Sequence, residues 1–112
     1  MTDLTAGLLA GTLDLLILKT LSFGALHGYG IAQNIRRFSG DALRVEEGSL
    51  YPALQRMQVK GWVRSQLQRT PTGRTGRYYE LTDDGRTQLG HESESFLRSA
   101  AATTRVLRST AG

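Results

Sequence analysis

Cysteine is absent from all 112 residues. Disulfides and thiolate metal sites are therefore excluded, and the absence suits a reducing compartment. Histidine is nearly as scarce: His27 and His91 stand far apart and offer no metal site. No serine, histidine and aspartate fall in a nucleophile–base arrangement, so an enzyme is not expected and no cofactor is implied. Long apolar runs are missing too, since the stretch from Leu8 to Leu21 is too short to cross a bilayer and carries Asp14 and Lys19. Asp3 comes early and no small-residue cleavage site follows that stretch, so the N-terminus does not read as a signal peptide. A soluble cytoplasmic chain with no membrane partner is the expectation. Its length is one domain's worth, and a core that small often gains stability from a second subunit.

A further absence is local. No acidic residue occurs from Gly48 to Tyr79, while Arg56, Lys60, Arg64, Arg69, Arg74 and Arg77 all lie there. Fourteen basic residues oppose ten acidic ones overall, for a net charge of +4, so the excess positive charge sits wholly inside this window. A concentrated basic stripe is what a polyanion binder needs, although a solvated basic face can look the same.

Periodicity supplies the architecture. "GTLDLLILKTLSFG" reads as a helix over 12–23, capped by Thr12, apolar around nearly its whole circumference and so buried on more than one side. "HGYGIAQNIRRFSG" gives a second helix over 29–38, with Ile31, Ile35 and Phe38 as its stripe. "ALRVEEG" suggests a short strand around Leu43 to Val45, and a third helix runs from about Ser49 to Lys60. "WVRSQLQR" and "RYYELT" then read as two strands joined by the Gly-rich basic turn "TPTGRTG". A long last helix over 84–107 begins at a Thr82 or Asp83 cap. The fold class expected is mainly α with a small β-hairpin: a winged helix-turn-helix over residues 1–82 and a C-terminal dimerisation helix and tail over 83–112. In that plan the third helix enters the major groove and the hairpin tip touches the neighbouring minor groove or backbone. Both elements fall within the acid-free window, which favours double-stranded DNA as the partner.

Pro52 tests the placement of the third helix. Proline costs little in a first turn, where N–H groups have no intrahelical acceptor. With Ser49 as N-cap, Pro52 falls in that turn, Leu50, Leu54 and Met57 face inward, and Ser49, Pro52, Gln55 and Arg56 face outward.

"GTLDLLILKTL", "HGYGIAQNI", "VEEGSLYPALQRMQVKGWV" and "RYYELTDDGR" are successive blocks, in order, across residues 11–86. In them the chain resembles the PadR family of bacterial transcriptional regulators, specifically the subgroup ending in a single helix. The resemblance implies a homodimeric repressor on operator DNA, its last helix packed on the partner's first helix. It also implies release by a small aromatic or hydrophobic effector. Two departures stand out: the wing "QLQRTPTGRTG" has only arginines as charges, and Phe96 stands where relatives often carry tryptophan.

The residues expected at DNA are Ser49, Tyr51, Pro52, Gln55, Arg56 and Lys60 on the third helix, and Arg69, Thr72, Arg74 and Arg77 in the wing. Gln55 suits adenine, Arg56 guanine, and Lys60 a phosphate. Tyr29 is also expected at DNA, bracing the second helix against the phosphate backbone or the core, while Tyr51 could instead pack under its helix. Trp62 reads as a core plug. Leu15, Leu18, Phe96 and Val106 are the expected lining of an effector pocket at the dimer interface. Two other readings compete: a small-molecule sensor using that pocket, and a DNA-free dimerisation or adaptor module.

Overall fold

Four helices and three strands follow in the order α1 (Ala10–Leu21), β1 (Leu26–His27), α2 (Gly28–Phe38), α3 (Glu47–Val59), β2 (Val63–Arg69), β3 (Thr75–Leu81) and α4 (Asp83–Leu107). This is a computed structural model that describes residues 10–69 and 71–111. The first residues of the apolar stretch beginning at Leu8 lie outside the described residues. The fold is mainly α with a small antiparallel sheet of order β1-β3-β2, a winged helix-turn-helix with a long C-terminal helix.

One core joins the three N-terminal helices to the base of the hairpin. Leu13, Ile17, Leu18 and Leu21 of α1 meet Ile31 and Ile35 of α2, Leu50, Ala53, Leu54 and Met57 of α3, and Val63, Tyr79 and Leu81 of the sheet. Each large apolar side chain fully buried there contributes about 1.5–3 kcal/mol, so this cluster sets the mutual angles of the helices. Trp62 packs half-buried against it, as the sequence suggests. Thr12 lies inside α1 and does not cap it, because the helix is already formed at Ala10.

Two expected boundaries are corrected. Leu43 to Val45 form no strand; they run irregularly toward α3, and Leu43 and Val45 pack on the core from outside. The first strand is Leu26–His27, paired antiparallel with β3 as Leu26↔Tyr79 and His27↔Tyr78. Its end is also a cap: the His27 Nδ1 accepts the Gly30 N–H at 3.0 Å and starts α2.

The third helix begins at Glu47, with Glu46 as N-cap, so Ser49 lies inside it and Pro52 falls beyond the first turn. Proline there withholds an N–H from the Gly48 carbonyl four residues earlier. Gly48 and Pro52 are both exposed, which leaves that carbonyl on the solvent side of the helix, where water can hydrate it.

At the hairpin base, Thr82 connects sheet to helix. Its hydroxyl donates to the Gly61 carbonyl at 2.6 Å and accepts the Gly85 N–H at 3.0 Å, capping α4. Gly85 is needed by close approach, since a Cβ there would stand 2.0 Å from the Trp62 carbonyl oxygen. The helix then runs on well past the core, and Gly85 is its only buried residue.

Candidate nucleic-acid interface

The inward stripe of α3 is Leu50, Ala53, Leu54 and Met57, so helical spacing turns Gly48, Pro52, Gln55 and Val59 directly outward. All four are exposed, Val59 to 80%. Ser49 is exposed in the first turn, its N–H spent on the Glu46 carbonyl at 3.0 Å.

The flanks of α3 are engaged with neighbouring elements. On one side the Gln58 Nε2 donates to the Ser65 Oγ of β2 at 2.8 Å. On that side too, Tyr51 lays its ring beside Gly28, where a Cβ would meet the hydroxyl at 2.6 Å. The tyrosine is 42% exposed, so it packs against the start of α2 while keeping one edge in solvent. On the other side the Arg56 Nη2 donates to the Asp14 Oδ1 of α1 at 2.8 Å. Lys60 places its Nζ 4.6 Å from the Trp62 ring centroid. The sequence reading set Arg56 on the outward face beside Gln55; the structure turns it to α1.

Burial lifts the Asp14 carboxyl above the ordinary aspartate range, although Arg56 and Lys60 pull it down. Glu92 of α4 adds to the lift.

The hairpin carries the remaining arginines. Its register pairs Val63↔Leu81, Ser65↔Tyr79, Leu67↔Arg77 and Arg69↔Thr75, so these residues share the face that begins in the core. Tyr79 is buried on that face, and Tyr78 lies half-buried on the other. Farther out the core ends and the same face becomes open: Leu67, Arg69, Thr75 and Arg77 are exposed. The Arg77 Nη1 donates to the Ser65 Oγ at 2.9 Å, so one hydroxyl accepts from both the wing and α3. On the opposite face Arg64 pairs with Glu80 across the strands at 2.5 Å. Arg69 and Arg74 have no ion-pair partner among the described residues, and Arg74 lies exposed with Thr72 in the turn.

Tyr29 is exposed at the start of α2, its ring stacked on His27 with centroids 6.1 Å apart. The same histidine meets Tyr78 edge-on at 5.6 Å. The sequence reading did not anticipate this aromatic brace or the need for Gly28; "HGYG" before a helix was the only signal available.

Of the expected effector lining, the structure brings together only two residues. Leu15 and Phe96 border a groove of about 280 Å³ between α1 and α4, with Gly11, Thr12, Glu92, Ser95 and Ser99. Leu18 is fully buried in the core and cannot line it. Val106 lies ten residues beyond Phe96, roughly 15 Å along the helix, and is exposed.

Residues 17–91 match the transcriptional regulator PadR-like family. The chain belongs to that family. Its members are regulators, not enzymes. The structure is similar to a PadR-like transcriptional regulator from Bacillus cereus, at 28% identity and a TM-score of 0.76, over 89% of this chain and 95% of that one. It is also similar to a transcriptional regulator from Clostridium thermocellum, at 26% identity and a TM-score of 0.77, over 85% and 92%. A 37.1 kDa protein in a Streptomyces fradiae transposon is 40% identical over 87 residues, or 76% of this chain. The match spans only 23% of that relative's length.

Proposed function

We propose that this PadR-like chain is a homodimeric repressor that binds operator DNA through α3 and the wing. The observation that carries the reading is the shared Ser65 hydroxyl. It ties α3 to a hairpin whose outer part, from Gln66 to Gly76, carries only arginines as charges, so helix and wing offer one joined surface with basic tips. Residues 1–82 form the DNA-binding unit and 83–112 the dimerisation helix and tail. Ser49, Pro52 and Gln55 face the major groove, with Tyr51 and Tyr29 at its rim. Lys60, Arg69, Thr72, Arg74 and Arg77 meet phosphates or the minor groove, because arginine and lysine on exposed tips serve polyanions best. A two-fold dimer then reads a pseudo-palindrome with half-sites roughly 10 bp apart, or a multiple of that.

A helix of 25 residues with Phe96, Leu97, Val106 and Leu107 exposed supports the dimer, since it leaves apolar surface for a partner helix to cover. The groove beside Leu15 and Phe96 supports a second role, capture of a small aromatic or hydrophobic effector that releases DNA. Fluorescence anisotropy on labelled duplexes at low and moderate salt tests the main reading. Affinity should fall steeply with salt; a chain that binds no duplex at either salt would return the fold to the adaptor reading.

A further inference from the structure

The outward line of α3 carries no charge. Gly48, Pro52, Gln55 and Val59 are all it offers, although the helix region contains both Arg56 and Lys60. Both cations are drawn to one flank, Arg56 onto Asp14 at 2.8 Å and Lys60 against the Trp62 ring. The Asp14 side chain is only 18% exposed, so the aspartate is a fixed anchor, whereas the Arg56 side chain at 47% remains solvated.

Base edges differ in what reads them. Guanine is read best by a two-pronged cation, adenine by a glutamine or asparagine amide, and thymine by apolar contact with its methyl. A line holding one amide, one branched apolar side chain and no cation matches A·T pairs. Gln55 and Val59 are four residues apart, about 6 Å along the helix, which spans roughly two base-pair steps.

Building on the winged-helix reading above, we propose that α3 selects an A·T half-site. Gln55 takes an adenine edge, Val59 takes a thymine methyl about two steps on, and Asp14 shapes specificity from outside the groove by withholding Arg56. Asp14 is a positioning residue: it touches no base, and its effect is the absence of a guanine reader.

Selection of the full chain on a randomised duplex library tests this, followed by anisotropy on the enriched duplex and its single-base variants. Enriched half-sites should hold A·T pairs at two positions about two steps apart, and exchange of one for G·C should weaken binding about tenfold. Gln55→Ala and Val59→Ala should each flatten the preference at one position. Arg56→Ala should leave the pattern of preferred bases unmoved, whatever it does to overall affinity. Asp14→Asn should admit guanine and steepen the salt slope by about one, the signature of one added phosphate or base-edge cation.

G·C half-sites whose preference disappears in Arg56→Ala would overturn the proposal. So would an A·T preference that survives both Gln55→Ala and Val59→Ala, or an Asp14→Asn chain that selects as the parent does. Failure to bind any duplex, or binding indifferent to Arg74→Ala, would instead bring down the DNA-binding function proposed above and this proposal with it.

Discussion

Single residues here act mostly by closeness. Gly85 illustrates a decision between opposing effects. Alanine in a helix interior is favoured over glycine by about 1 kcal/mol, yet a methyl at this position would press on a backbone carbonyl that cannot turn aside. Overpacking of that kind costs about 1–3 kcal/mol and sometimes more, so Gly85→Ala should lower stability, and urea denaturation should show an earlier midpoint with unchanged slope. Asp14 gives a pH signature. Burial raises its carboxyl above the ordinary 3.8, so the folded chain holds that proton more tightly than the unfolded one. Its contribution favours folding below this window and declines as pH rises through it. The Tm difference between the parent and Asp14→Asn should therefore change from pH 3.8 upward; a constant difference would refute the assignment. Gln55 was readable as exposed from the sequence because helical spacing alone places it. The direction of the Arg56 side chain was not, because its partner lies 42 residues away in another helix.

Among elements, the wing and the long helix were the most readable, and the short strands the least. "RYYELT" and its basic turn announce a hairpin through alternation and glycine, both local signals. β1 has two residues and exists only because β3, more than fifty positions on, supplies its hydrogen-bond partners. Nothing local marks it, and the extended look of "ALRVEEG" drew the strand there instead. The start of α3 misled for a related reason. A proline beyond the first turn costs less when the carbonyl four residues back stays hydrated, and that exposure is a tertiary fact. For the wing, Arg74→Ala should weaken binding about equally across duplex sequences and lower the salt slope by about one. Anisotropy titrations at several salt concentrations measure both quantities. A sequence-selective loss would place Arg74 at a base instead of a phosphate.

At the scale of the molecule, the question is what α4 is for. It extends beyond the core that anchors its first turns, and the described chain reaches 66 Å along its longest axis. A monomer with Leu97, Val106 and Leu107 in water leaves apolar surface that a two-fold partner would bury. Leu97→Glu together with Leu107→Glu should shift the chain toward monomer in sedimentation and remove the dependence of Tm on protein concentration. An unchanged dimer would move the interface elsewhere. By itself the sequence determined the helix order, the hairpin, the Thr82 cap as one of two candidates, the inward stripe of α3 and the acid-free basic window. All of these follow from residue type and spacing within a few turns of chain. Phe38, by contrast, expected in the stripe of α2, lies exposed beyond the core. Only the tertiary structure decided where the charge in that window points. Ion pairs and close approaches join residues far apart in sequence, and here they carry Arg56 to Asp14 and leave Gln55 and Val59 on the exposed line of the helix.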